Sequence, residues 1–275
     1  MKNKYTFAPF LLAVLATSAV ARAQDAPPTA TSRYAITGNV AVTSDYMFRG
    51  LTQTWGGPAI QGGGDLTMTN GFAAGFWASS ISGKSYPGAA LELDLYASFG
   101  TAFNDEWSWR AGLYGYVYPN GNLDDVGLPS RSFNTVEANA ALTWKWLTLK
   151  YNYSLTDYFA IDTEQGYDAD SKGTGYLQLD AAIPFNDQWS LALHAAHTDI
   201  PARLVAALAN GANNPSYSDF AATLKWQFAT HWNTSFGVTY ATNHDFYGNT
   251  ASFSDANDTR DVGGTRGFVM LQGTF

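Results

Sequence analysis

Leu91-Glu92-Leu93-Asp94-Leu95-Tyr96-Ala97-Ser98-Phe99 alternates in character at every step up to Ala97. Successive side chains of an extended chain point to opposite faces. Leu91, Leu93, Leu95 and Phe99 therefore share one face, while Glu92 and Asp94 share the other. A helix would scatter these residues around its axis, so the pattern selects a strand.

Eleven more runs of roughly 9 to 12 residues follow the same rule from Ile36 onward. Their apolar columns begin with Ile36, Val40, Val42, Tyr46 and Phe48, then Ile60, Leu66 and Met68, then Phe72, Ala74 and Phe76. Trp107, Trp109, Leu113 and Val117 form another, as do Val136, Ala138, Leu142 and Trp144, and Leu147, Leu149, Tyr151, Tyr153 and Leu155. Leu177, Leu179, Ile183 and Phe185 continue the series, with Trp189, Leu191 and Leu193, and Phe220, Leu224, Trp226 and Phe228. The last two are Trp232, Phe236, Val238 and Tyr240, and Val269, Leu271 and Phe275. No charged residue falls in any column, whereas the opposite register carries Asp45, Asp65, Glu92, Asp94, Arg110, Glu137, Lys150, Asp180 and Lys225.

Alternation alone does not say whether the apolar face points to a core or to lipid. A water-facing surface over twelve strands would carry many more charges than these nine. The connections also alternate in length. Short turns fall near Asn70-Gly71, 104–106, Lys145-Trp146, 186–188 and 229–231, and long loops at about 49–58, 82–90, 119–132, 157–174, 199–217 and 244–265. Short turns at one end and long loops at the other are the pattern of outer-membrane barrels. A small repeat, Phe103…Trp107, Phe185…Trp189 and Phe228…Trp232, brackets three short turns, and Trp prefers the membrane interface. The expectation is an all-β fold, a transmembrane antiparallel β-barrel of about 12 strands spanning residues 35–275, with both termini on the periplasmic side. The weakest patterning lies at Gly62–Gly64 and in 199–217, where Pro201 to Ala209 reads as more helical than extended.

Composition agrees. The 275 residues include no cysteine, which excludes a disulfide framework and any thiolate chemistry. A net charge of -8 without a basic run excludes nucleic acid as a partner. Lys2 and Lys4, the apolar stretch Phe7 to Val20 and Ala21-Arg22-Ala23 read as a signal peptide over residues 1–23. The rival, a membrane anchor, needs a longer apolar run to span ~30 Å. Residues 24–34 read as a flexible lead-in, and the expected location is the cell outer membrane.

The segment Ser44-Asp45-Tyr46-Met47-Phe48-Arg49-Gly50-Leu51-Thr52-Gln53-Thr54, followed by Pro58-Ala59-Ile60-Gln61-Gly62-Gly63, resembles the opening signature of the TorF family of proteobacterial porins. Gly71-Phe72 through Phe76-Trp77-Ala78-Ser79, Glu92 to Tyr96, Lys150 to Ser154 and Leu191 to His194 add weaker matches. The resemblance implies an outer-membrane barrel with a pore function, and brings neither a substrate nor catalytic residues.

Asp45, Asp65, Glu92, Asp94, Glu137 and Asp180, against Arg110, Lys150 and Lys225 with Arg49 just past the first strand, are the candidate pore-lining residues. Rings of such charges set selectivity in a wet pore; the competing reading is that they pair across a narrow interior and plug it. Six acids to three bases within the strands lean towards cations. Arg110 is a candidate partner for Glu92 and Asp94. Asp45 and Arg49 are in phase, which suits either a pore-side ion pair or a local bridge that fixes the first loop.

Catalysis finds little support. His197 falls on the lipid-facing side near the outer rim, and Ser79 or Ser80 are its nearest candidates for a nucleophile, but no G-x-S-x-G occurs. Asp255 to Asp261 opens like a calcium loop, yet Arg260 stands where such a loop needs glycine. No cofactor or metal is expected. The leading function is a passive channel for small polar solutes or ions. A surface receptor barrel comes second and a lipid-modifying enzyme third. The expected partners are outer-membrane lipid and diffusing solutes. Many such barrels are homo-oligomers, and no interface signal decides the point here.

Overall fold

The computed structural model describes residues 32–208 and 210–275. The signal-peptide reading for residues 1–23 lies outside them. Twelve strands form one closed antiparallel barrel: β1 (Tyr34–Thr43), β2 (Ala59–Met68), β3 (Phe72–Ser80), β4 (Leu91–Ala102), β5 (Trp107–Val117), β6 (Thr135–Trp144), β7 (Leu147–Ser154), β8 (Gly175–Pro184), β9 (Trp189–Asp199), β10 (Tyr217–Ala229), β11 (Trp232–Ala241) and β12 (Gly264–Thr274). Each strand pairs with its neighbour in sequence, and β1 closes the ring on β12 through Asn39 opposite Thr274 to Thr43 opposite Met270. β1 begins at Tyr34, one residue before the expected start of the barrel, and the lead-in reading for residues 24–31 also lies outside the described residues.

The expected columns point outward. Leu95, Leu113, Leu149, Val238, Val269 and Leu271 are exposed, and Ile36 and Ile60 are each 72% exposed. Among the described residues no helix is long and apolar enough to cross a membrane; the apolar belt belongs to the strands. At the short-turn end the belt finishes in aromatic pairs. The Trp107 and Trp144 rings lie 6.0 Å apart, Trp189 and Trp226 stack at 5.7 Å, and Trp232 meets Phe275 at 6.1 Å. Indole rings suit this level because they carry an apolar body and a polar N–H.

The Phe…Trp repeat is a turn device. Asn104 Oδ1 accepts from the backbone N–H of Glu106 and Trp107, and Asn186 Oδ1 does the same for Gln188 and Trp189. Each Asn thus satisfies turn donors that the ladder leaves free. The third copy has Ala229 instead of Asn and a register shift between Gln227 and Ala229.

Two local expectations fail. Tyr46 and Phe48 are not on the lipid face. β1 ends at Thr43, the chain bends at Ser44, and residues 44–58 turn into the barrel, leaving Tyr46 and Phe48 buried. Residues 201–208 are not helical. Tertiary bonds hold them in an irregular course: Arg203 N–H donates to Asp168 Oδ1 at 2.7 Å, Leu204 N–H to the Asn213 carbonyl at 2.9 Å, and Val205 N–H to the Gly166 carbonyl at 2.9 Å.

The outward columns make a direct prediction. Leu113→Arg, near the middle of β5, should cost about 2–4 kcal/mol of folding free energy in a bilayer. Urea titration in lipid vesicles checks it; a cost below ~0.5 kcal/mol, the level of an ordinary surface change, would place Leu113 in water instead.

Candidate functional site: the lumen and its plug

The first loop fills the outer half of the lumen. Met47–Phe48 and Leu51–Thr52 pair as a small hairpin whose two-residue tip is Arg49-Gly50. Both tip residues are left-handed, with φ of 47° and 77°, as mirror-image hairpin turns require. Gly50 is forced at its position: a Cβ would lie 2.7 Å from Asp219 Cβ and 3.0 Å from Ala241 Cβ. A left-handed arginine is uncommon, and such strain persists only where surrounding contacts over-determine it.

Those contacts are visible. Arg49 is 2% exposed. Its Nη2 donates to Glu137 Oε2 at 2.7 Å, and its Nη1 to the Tyr158 hydroxyl at 3.2 Å. The guanidinium carbon lies 4.0 Å from the ring centroid of Tyr176, 5.0 Å from Phe48 and 5.5 Å from Tyr158. Tyr116 donates to Glu137 Oε2 at 3.3 Å. Burial pushes the Tyr158 hydroxyl up to about 12 against the pull of Arg49, so it stays protonated at neutral pH. Tyr46 stands edge-on to Trp77 of β3, Phe48 to Tyr116 of β5, and Ser44 bonds to Val269 of β12. The hairpin therefore reaches much of the barrel's circumference.

The expected Asp45–Arg49 pair does not form. Asp45 Oδ1 accepts from Thr52 Oγ1 at 2.5 Å and Thr54 Oγ1 at 3.0 Å, and Asp45 Oδ2 lies 3.6 Å from Arg266. Asp45 thus ties the two ends of the loop, while Arg49 crosses to the far wall. The expected partnership of Arg110 with Glu92 and Asp94 also fails. Arg110 lies opposite Gly100 and bonds Ser98 Oγ at 2.9 Å, while Asp94 lies opposite Tyr116, six residues nearer the loops.

The other candidates occupy the same inward register. Asp65 accepts from the Tyr96 hydroxyl at 2.8 Å, and Asp94 from Tyr114 at 2.9 Å. Lys150 and Lys225 alternate with the exposed Leu149, Tyr151 and Trp226. Asp180 accepts from Gln178 at 2.5 Å and lies 2.6 Å from His194 Nδ1. Sequence reasoning missed the rest of that group: His194 Nε2 lies 3.0 Å from both Asp219 Oδ1 and the Tyr176 hydroxyl. Asp219 sits in phase with Lys225 and next to outward Phe220, the signal that could have revealed it.

Charge is also sorted along the axis. Glu92, Asp94, Glu137 and Asp219 lie within the first few residues from the loop end of β4, β6 and β10. Arg110, Lys150 and Lys225 lie within the first few residues from the turn end of β5, β7 and β10. The outer lumen, with Arg49 and Arg266 among its acids, is net acidic and rich in tyrosine, and the inner lumen, with Asp65 among its bases, is net basic.

Outside, His197 Nδ1 lies 2.9 Å from Ser218 Oγ on the exposed face, rather than near Ser79, which is buried within the barrel. Among the described residues no three His, Asp or Glu side chains gather as a metal site. In the last loop, Lys84 Nζ donates to Asp258 Oδ2 at 2.6 Å and Trp55 Nε1 to Asp258 Oδ1 at 3.3 Å.

The family model described as "Bacterial protein of unknown function (Gcw_chp)" matches residues 27–275, and the chain belongs to that family. No curated protein matches. Among solved structures, the KdgM porin in complex with disordered oligogalacturonate is 10% identical, with 88% of this chain and 99% of that one covered at a TM-score of 0.50. A structure of the KdgM porin alone is 11% identical over 87% and 99%, also at 0.50. The NanC porin is 12% identical over 88% and 99% at 0.51. At such identities the likeness speaks for the fold: a closed 12-stranded barrel similar to outer-membrane porins.

Two predictions follow from this geometry. Arg49→Met or Glu137→Gln alone should cost roughly 3–5 kcal/mol by stranding a buried partner, and the double variant should recover part of that loss. Thermal unfolding followed by heat-dependent migration on a detergent gel reads both; additive single losses would contradict the pairing. Separately, Lys84 holds the Asp258 carboxyl below the ordinary carboxylate range, with help from Trp55. A lowered folded value means that the contact is fully present above the unfolded value and is lost as pH falls through the folded one. The fluorescence difference between wild type and Trp55→Phe should change below about pH 4 and shift with salt; a flat difference from pH 7 to pH 2 would contradict it.

Proposed function

We propose that the protein is a passive outer-membrane channel for small polar solutes or ions, leaning towards cations, with its first loop as an internal constriction. The observation that carries this reading is the pairing of an uncharged apolar exterior with a lumen lined by Asp65, Glu92, Asp94, Arg110, Glu137, Lys150, Asp180 and Lys225. Isolating charges inside hydrocarbon is costly, and charged rings are useful where ions pass. Porin structures with the same fold support it. So does the Ser44–Thr54 motif, on which a narrower kinship with TorF-family barrels rests.

Solute flux needs no cofactor and no energy input in this reading. Acids near the loops and bases near the turns bias entry from the two sides differently. The signal peptide over residues 1–23 belongs to the same proposal, because an outer-membrane barrel must be exported. A catalytic role is not proposed: His197 meets Ser218 on the exterior, away from the buried charge cluster.

Planar-bilayer recordings test the channel. Wild type and a variant with residues 45–56 replaced by a short Gly-Ser linker should both give single-channel steps, larger in the variant. The current should be unequal at opposite voltages, and the reversal potential in a KCl gradient should lie on the cation side. Absence of current from both proteins in several salts, with solute-tight liposomes, would overturn the channel and leave a surface-binding barrel.

A further inference from the structure

The outer lumen contains a finished binding site for a guanidinium group, and the chain itself supplies the guest. Glu137 from β6 provides the carboxylate, at 2.7 Å from Arg49 Nη2. Tyr116 from β5 and Tyr176 from β8 are wall residues, and Tyr158 comes from the loop after β7. Tyr116 and Tyr158 add hydroxyls, and Tyr158 and Tyr176 present ring faces to the cation. A carboxylate, hydroxyl oxygens and aromatic faces around one desolvated point favour a planar or compact organic cation.

The guest sits on a loop, the host mostly on the barrel wall. Glu137, Tyr116 and Tyr176 sit on strands locked into the ladder. Arg49 sits at a hairpin tip in left-handed backbone, a conformation that persists only where surrounding contacts hold it. Withdrawal of the hairpin would leave the carboxylate without its charge partner.

A second observation gives the sign of the solute independently. Glu92 and Asp94 are each 1% exposed and lie in the same acidic, tyrosine-lined half. Tyr46 and Tyr118 flank the Glu92 carboxyl, Asp94 lies beside it, and Tyr114 donates to Asp94 Oδ2 at 2.9 Å. Two adjacent buried carboxyls repel each other as anions, and the N–H groups of a cation are the complement that relieves the repulsion. Both features lie at the level of the hairpin, where its tip reaches β5, β6 and β8 through Arg49 and β10 and β11 through Gly50.

We infer that the Glu137–Tyr116–Tyr158–Tyr176 cage is the channel's subsite for solutes bearing a guanidinium or primary ammonium group, held in the resting state by Arg49 as an internal competitor. A cationic solute exchanges with Arg49, and the hairpin moves aside. The solute class rests on the channel proposal above; the cage itself does not.

The test uses the full-length refolded protein and low-millimolar methylguanidinium chloride as the probe. In planar bilayers, half-block of the K⁺ current should need at least tenfold less methylguanidinium in Arg49→Gln than in wild type. The sensitivity should disappear in Arg49→Gln/Glu137→Gln. Equal block in all three proteins while they conduct would overturn the inference and leave the channel standing. Calorimetric titration in detergent micelles decides the cage even if no variant conducts. Saturable methylguanidinium binding to Arg49→Gln, absent from the double variant, supports it; no binding to Arg49→Gln overturns it. If Arg49→Gln folds poorly, low-millimolar methylguanidinium should restore its heat-shifted gel band but leave the double variant unchanged. Equal effects on both, or none on Arg49→Gln, would likewise overturn the cage.

Discussion

A backbone N–H or C=O in hydrocarbon has no water to bond, and every other feature of this molecule follows from that restriction. A strand can meet it only if both edges are paired, so β1 must return to β12. Closure with period-two side chains divides each strand between lipid and lumen. The lipid column then excludes charge, and the lumen becomes the one place where Asp, Glu, Lys and Arg can stand within the membrane. The concentration of titratable residues inside the barrel is a consequence of the exterior as much as a statement about transport.

An interior so charged and so narrow has to satisfy itself. The outer half does this by folding Tyr46 to Trp55 inward, where Arg49 neutralises Glu137 and the rings of Phe48, Tyr158 and Tyr176 pack around it. His194 between Asp180 and Asp219 does a similar service deeper in the wall. Together these contacts make the plug specific, because one side chain satisfies a carboxylate and three aromatic faces at once. Glu92 and Asp94 are met instead by Tyr46, Tyr118 and Tyr114 and by each other, and these two carboxyls give the outer lumen its acidic character.

Most of the barrel was legible from residues such as Leu91 to Phe99, because a lipid-facing column tolerates no exception and so advertises itself. The turns were legible for a related reason: Asn104 and Asn186 stand where short connections need extra acceptors. The inward loop was not, because Tyr46 and Phe48 keep the phase of Val42, and periodicity does not reveal where a strand stops. The better signal was Arg49-Gly50, a glycine-containing pair between two short apolar stretches, which is the mark of a tight hairpin. Charge partners were misjudged by the same limit: Arg110 is in register with Gly100, not with Asp94, and register is invisible in a single strand. At 201–208, helical propensity lost to bonds from Asp168, Gly166 and Asn213, which a local reading does not contain.

The absence of cysteine from the chain allows clean placement of a single label. Leu95 and Ser98 lie on the same strand, one outward and one inward. Spin labels on Leu95→Cys and Ser98→Cys, in protein refolded into lipid vesicles, report accessibility to oxygen and to a water-soluble nickel chelate. The label at 95 should be reached chiefly by oxygen and the label at 98 chiefly by the chelate. The reverse ranking would mean that the apolar columns pack inward and that the barrel is not bounded by lipid.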